Sequence, residues 1–220
     1  MAILSIICLL GGVACGNNVT ESLDVQASET VDVNTEEENG SDMVNDDSEK
    51  QQSTVEVNTN HEDKIKKAVV YFSATGNTKS VAELIADGTE ADIYEIVPTQ
   101  EYTHEDLNYN DDNCRANLEM EDESARPDIE NDLSDIKECD VIYLGYPIWW
   151  GTCPRIIQTL FESYDLSGAK IYTFCTSGSS GIEKSISDLK ALYPEVNIVD
   201  GKRFDSATEA DVKSWIESIK

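Results

Sequence analysis

Basic residues are scarce in this chain: its 220 residues carry 16 Lys and Arg against 44 Asp and Glu, a formal net charge of −28. Phosphate backbones are held by clustered Lys and Arg, so the balance argues against DNA or RNA as a partner. It argues equally against docking of the folded part on an anionic membrane by charge. Only His61 and His104 offer an imidazole, and none of the six cysteines stands in a C-x-x-C pair. The tight ligand pairs of a four-coordinate zinc site are therefore missing. There is no G-x-x-x-x-G-K-[ST] and no G-x-G-x-x-G, which removes the nucleoside-triphosphate loop and the dinucleotide fingerprint. The apolar run Ala2–Leu10 is far shorter than the roughly 20 residues of a membrane-spanning helix.

What is present is unevenly spread. Residues 1–15 carry no charge, residues 16–63 carry 14 acidic side chains against Lys50 alone, and residues 64–220 carry 30 acidic and 15 basic. The first segment, an apolar run followed by Gly11, Gly12, Ala14 and Cys15, has the dimensions of a secretory signal. Gly12-Val13-Ala14-Cys15 resembles the lipobox of bacterial lipoproteins, although Gly12 stands where that motif prefers Leu and no Lys or Arg precedes the apolar run. The resemblance implies cleavage before Cys15 and a lipid on that cysteine; an uncleaved anchor and an apolar N-terminus without a role are the alternatives. Residues 16–63 contain no aromatic residue, no Cys and no Pro. Such a segment buries too little apolar surface to offset the entropy of ordering, so a disordered acidic linker is expected, serving as a spacer or as a tail with no role.

From Lys64 the pattern alternates. Ala68–Phe72, Ile93–Val97, Val141–Tyr146, Lys170–Cys175 and Val196–Val199 read as strands. Between and after them, apolar residues at helical spacing mark helices around Val81–Ile85, Ile156–Tyr164, Ile182–Leu189 and Val212–Ile219, with Gly88 expected to end the first. Five strands alternating with helices predict a doubly wound parallel sheet with helices on both faces, over residues 64–220. Ligands of such sheets sit outside the carboxyl ends of the strands, which directs attention to three loops.

Ser73-Ala74-Thr75-Gly76-Asn77-Thr78 follows the first strand and opens a helix. Its hydroxyls, its glycine and the helix N-terminal N–H groups suit a phosphate, although taken alone it is also an ordinary polar turn. Pro147-Ile148-Trp149-Trp150-Gly151 follows the third strand and puts two large rings on a connection. One of them is expected to stack on a flat ligand and the other to cap the sheet. Thr176-Ser177-Gly178-Ser179-Ser180-Gly181 follows the fourth strand, and its small residues allow main-chain contact with the edge of a flat ring.

Together the three loops describe a site for a mononucleotide bearing a large planar ring, and residues 67–220 resemble a flavodoxin. Ser73-x-Thr75-Gly76-x-Thr78 is similar to that family's phosphate loop, and Trp149 and Thr176–Gly181 fall in its two flavin loops. The stretch Gly145–Gly151 resembles a flavodoxin-like branch common in anaerobic bacteria. The resemblance implies FMN, its phosphate held by Ser73, Thr75, Asn77 and Thr78, its ring stacked on Trp149, and its pyrimidine edge met by backbone of residues 176–181. Electron transfer of this kind needs no protein acid or base, because the flavin carries the chemistry. An acidic domain disfavours extra negative charge on the reduced flavin, which implies a low potential.

Short flavodoxins usually supply an aromatic residue from the second flavin loop, and Thr176–Gly181 has none. One ring face is therefore expected to be open, which raises an FMN-dependent NAD(P)H:quinone-type reductase as an alternative to an electron carrier. A protein that kept the fold without the cofactor is a further alternative. The carrier reading places the protein outside the cytoplasm, lipid-anchored, handing electrons to a redox protein or a small-molecule acceptor. Cys114, Cys139, Cys153 and Cys175 leave one disulfide possible, and Cys153 is expected to be a buried apolar residue. The acidic stretch 102–127 reads as a solvated decoration or as a lid, with His104 and Arg126 its candidates for steering a substrate.

Overall fold

The computed structural model describes residues 64–219. The expectations for residues 1–15, including Cys15, and for the linker 16–63 lie outside the described residues.

Five strands form one parallel sheet in the order β2-β1-β3-β4-β5. They are β1 (Lys67–Tyr71), β2 (Asp92–Glu95), β3 (Val141–Pro147), β4 (Lys170–Thr176) and β5 (Asn197–Phe204). The helices are α1 (Asn77–Thr89), α2 (Arg115–Glu121), α3 (Arg155–Ser163), α4 (Glu183–Leu192) and α5 (Glu209–Ser218), with a 3-10 turn at Ser134–Glu138. The continuous apolar runs of β1 and β3 follow from covering both faces. Ala68, Val70, Ile142, Leu144 and Tyr146 pack with Ile156, Ile157 and Leu160 of α3 and Leu189 of α4. The alternate residues Val69, Tyr71, Tyr143 and Phe174 pack with Val81 and Ile85 of α1 and Val212, Trp215 and Ile216 of α5.

Three boundaries differ from expectation. Gly88 does not end α1; the left-handed turn falls on Glu90, at φ 53°. Gly88 instead marks the close approach of α5, since a Cβ there would lie 3.1 Å from Ile216 Cδ1. Strand β2 stops at Glu95, and the N–H of Val97 donates to Asn131 Oδ1 at 3.0 Å. Strand β5 continues past Val199 through the polar Asp200–Arg203, because an edge strand keeps only part of its length covered. Its register against β4 shifts between Ile171 and Tyr172, so that Ile198 and Asp200 face consecutive residues and Val199 is bulged.

Between β2 and the 3-10 turn the chain makes a closed excursion. The N–H of Thr99 donates to the Asp128 carbonyl at 2.9 Å and that of Glu130 to Val97 at 2.8 Å, pinning its two ends together. The excursion is docked on the sheet side as well: Arg155 of α3 donates to the carbonyls of Glu119 and Met120, and Thr159 donates to that of Pro127. Ala116, Asn117 and Met120 of α2 are buried. The stretch 102–127 is thus a packed part of the domain and not a solvated decoration.

Candidate functional site

The carboxyl ends of β1, β3 and β4, the three central strands, bring their loops to one edge of the sheet. In the β1–α1 loop, Gly76 takes φ 84° and leads into α1 with no side chain capping the helix. The first-turn N–H groups of α1 therefore keep their capacity for an anion. The Ser73 hydroxyl is buried without a hydrogen-bond partner. Leaving a buried hydroxyl unpaired costs about 1–3 kcal/mol, so this atom is set for an acceptor from outside the chain. Thr75 and Asn77 are exposed, with Asn77 Nδ2 donating to Thr75 Oγ1 at 3.1 Å. Thr78 is buried, its hydroxyl 2.8 Å from that of Thr176, which ties the first turn of α1 to the end of β4.

The β3–α3 loop is a tight hairpin. Trp149 and Thr152 exchange two backbone hydrogen bonds at 2.9 Å each. Trp150 and Gly151, the two residues between, lie at φ 50° and φ 79°. Glycine reaches this region freely; for tryptophan it costs roughly 1–2 kcal/mol. The two indoles fare differently. Trp149 is half-buried, edge-on to Phe72 at 5.7 Å and to Tyr102 at 5.2 Å between centroids. Trp150 at the hairpin tip is 50% exposed.

In the β4–α4 loop, the hydroxyl of Ser177 accepts the N–H groups of Ser179 (3.3 Å) and Ser180 (2.9 Å). Arg203 of β5 reaches across, donating through Nε to the Ser177 carbonyl and through Nη2 to that of Gly178, both at 3.1 Å. It also pairs with Asp205. The loop is braced from its outer side, and Gly178 has open space where a side chain would be.

These loops surround a cavity of about 810 Å³, within the range of small-molecule sites. Of the residues expected to bind, Ala74, Thr75, Pro147, Ile148, Trp149, Trp150, Gly151, Ser177, Gly178 and Ser179 line it. Ser73, Gly76, Asn77 and Thr78, after β1, and Thr176, at the end of β4, are outside the lining. Gly181 is also outside; the carboxylate of Glu183 fills the place of its side chain. A fourth wall comes from the excursion, read in the sequence as a decoration or a lid: it contributes the candidate His104 with Leu107, Asn108, Tyr109, Asn110 and Ala116, whereas the other candidate, Arg126, is outside the lining and pairs with Glu162 at 2.8 Å. Sequence reasoning missed Arg203, whose signal, a lone basic residue on a polar strand end, does not separate a brace from a surface charge.

The electrostatics of the cavity contrast with those of the chain. None of its lining residues is Asp, Glu, Lys or Arg. Behind it, Tyr102 donates to Glu119 at 2.5 Å, and burial with that carboxylate drives its phenol far above the ordinary range. Arg115 pairs with the same Glu119 at 2.6 Å and lies 3.9 Å from the centre of the Tyr102 ring. Cys114, Cys139, Cys153 and Cys175 are all free, and Cys153 and Cys175 are buried. Burial pushes both thiols up to about 12, which leaves them inert at neutral pH. Among the described residues no group of His, Cys, Asp and Glu is arranged to hold a metal, and no helix is long and apolar enough to cross a membrane.

Solved structures share this architecture. A protein of Bacteroides uniformis ATCC 8492, provisionally described as a flavoprotein, is 41% identical with a TM-score of 0.68, covering 70% of this chain and 98% of its own. A similarly described protein of Bacteroides eggerthii DSM 20697 is 40% identical with a TM-score of 0.67, covering 70% and 97%. A flavoprotein of Lactobacillus acidophilus NCFM, solved in complex with FMN, shares the fold at 22% identity and a TM-score of 0.56, covering 69% and 99%. No curated protein matches the chain. The family model described as Flavodoxin matches residues 66–219, the whole of the folded part from β1 to α5, and the chain belongs to the flavodoxin family.

Proposed function

We propose that this chain binds FMN at the loop edge of its sheet and carries electrons. The observation that supports it most directly is the unpartnered, buried hydroxyl of Ser73, at the point where the phosphate loop meets the uncapped N-terminus of α1. That donor set fits a phosphate. The uncharged cavity with its indoles fits a flat ring. Ser73, Thr75, Asn77 and the backbone N–H of Thr78 hold the phosphate, the hairpin of Trp149 and Trp150 flanks the ring, and the braced backbone of residues 177–179 meets its edge. When bound, FMN supplies the redox chemistry, taking up and releasing one or two electrons. The protein binds, orients and excludes water, and the net negative charge of the domain lowers the potential.

An FMN-dependent NAD(P)H:quinone-type reductase is the second reading, favoured by a β4–α4 loop of Thr, Ser and Gly that has no aromatic residue to cover one ring face. The acidic domain, with 30 acidic and 15 basic side chains in residues 64–220, suits a basic redox protein or an uncharged small acceptor. The carrier works outside the cytoplasm, held by a lipid on Cys15, with residues 16–63 as the spacer. Support for that part is the pattern of residues 12–15 and the acidic, aromatic-free composition of residues 16–63.

A visible absorption spectrum of the purified protein, before and after FMN addition and desalting, tests the cofactor. Retained flavin absorbance with quenched fluorescence is the expected result, and a colourless protein leaves a fold without the cofactor. Steady-state NAD(P)H oxidation with a quinone acceptor is expected to be close to zero; rapid turnover would replace the carrier with a reductase. Cys15→Ser is expected to release the protein from the membrane fraction, and its retention there would remove the lipid anchor.

A further inference from the structure

We infer that a second cavity, between α3, α4 and the excursion, binds a zwitterion of the α-amino-acid class. Thr152 of the tryptophan hairpin lines it, and Lys184 Cδ lies 3.8 Å from the place of a Gly151 side chain. The cavity shares no lining residue with the one proposed for FMN, and the site does not depend on the FMN reading.

The second cavity measures about 390 Å³, room for a small molecule. Where the FMN cavity is lined without charge, this one presents Arg126, Arg155, Lys184, Glu123 and Asp188. Part of that charge is already matched: Arg126 pairs with Glu162 at 2.8 Å and Lys184 with Asp188 at 2.6 Å. One charge of each sign is left over. Arg155 donates through Nε and Nη2 to the carbonyls of Glu119 and Met120, but among the described residues it forms no ion pair, whereas Arg115, Arg126 and Arg203 each have one. The carboxylate of Glu123 also has no cationic partner among the described residues; only its backbone carbonyl is engaged, by Arg126 Nη1 at 3.0 Å.

Gln158 of α3 supplies the feature that asks for a ligand. It lines the cavity, is only 4% exposed, and its Oε1 is buried with no donor. A buried carbonyl left unpaired is costly and uncommon, so a donor from outside the chain fits this position. A simple anion would satisfy Arg155 and leave Gln158 and Glu123 without partners. A simple amine would satisfy those two and leave Arg155. A carboxylate beside a protonated amine serves all three. The carboxylate accepts from Arg155, and the ammonium donates to Gln158 Oε1 and pairs with Glu123. Ala191 and the exposed Leu192 complete the lining with an apolar surface for the ligand's own side chain.

The test is the melting temperature of the full chain with each standard L-amino acid at millimolar concentration, followed by calorimetric titration of those that raise it. At least one is expected to respond. It should bind about tenfold more tightly than the matching amine without the carboxylate, and than the matching acid without the amine. Glu123→Gln and Gln158→Leu are each expected to weaken its binding about tenfold. Neither lowers the melting temperature of the ligand-free protein, since Glu123 is exposed and Gln158 loses only an unsatisfied atom. No response to any amino acid would overturn the inference. Equal binding of the acid alone would also overturn it, leaving a plain anion site. Wild-type binding in either variant would place the ligand elsewhere, with the same consequence. Should Gln158→Leu fail to fold, Glu123→Gln decides alone.

Discussion

Ser73 sits where β1 gives way to α1 with its hydroxyl buried and unpaired, while Thr78 five residues on has its hydroxyl occupied by Thr176. Ser73→Ala removes a polar atom that the cofactor-free protein does not satisfy. The expected result is unchanged or slightly raised stability in urea, with FMN binding weakened about tenfold. A loss of stability without a change in affinity would show that the hydroxyl serves the fold. Trp150 presents the opposite balance, an exposed ring on a strained backbone. Trp150→Asn puts Asn-Gly at a turn with both residues at positive φ. It is expected to gain about 1 kcal/mol in the cofactor-free protein while losing affinity and fluorescence quenching. Destabilisation instead would make the indole a structural cap. The phosphate loop was legible because its residues are neighbours in sequence. Which tryptophan is packed and which projects was not, since that depends on the backbone of the hairpin and on Phe72 and Tyr102 arriving from elsewhere.

At the level of elements, the central strands could be read because burial on both faces leaves uninterrupted apolar runs. The edge strand β5 was underestimated for the same reason, its outer half being polar where nothing covers it. Yet that half carries Arg203, which braces the carbonyls of Ser177 and Gly178. Arg203→Ala is expected to speed amide exchange across Ser177–Ser180 and to weaken FMN binding roughly fivefold, the equivalent of about 1 kcal/mol. The side chain is 30% exposed, so global stability should change little. Unaltered exchange in that loop would show that the brace is redundant. The α2 excursion was misjudged on composition. Its surface is acidic, but Asn117, Met120 and the Tyr102–Glu119–Arg115 cluster bind it to the domain.

For the molecule as a whole, the buried thiols of Cys153 and Cys175 predict a response to alkali. Burial raises both from 9.0 to about 12. Below pH 9 folded and unfolded chains both keep these protons, and pH has no effect through them. Between pH 9 and about 12 the unfolded chain gives them up while the folded one does not, so stability falls as pH rises. The buried Tyr146 phenol, also raised by burial, acts in the same direction. The urea midpoint is expected to hold steady up to pH 9 and then decline, with a shallower decline in Cys153→Ala. A midpoint that stays level to pH 11 would contradict the burial of these groups.

The central strands, the helix faces and the phosphate loop follow from local chemistry. Alternation of apolar runs with helical spacing selects a parallel sheet, and a parallel sheet puts its ligand at the carboxyl ends of its strands. That much was contained in the order of the residues. Which residues of the excursion besides His104 wall the cavity, the reach of Arg203 and the neutral lining of a site in a chain of charge −28 were not. Each depends on side chains that meet only when distant segments pack, and no spacing along the chain encodes such a meeting.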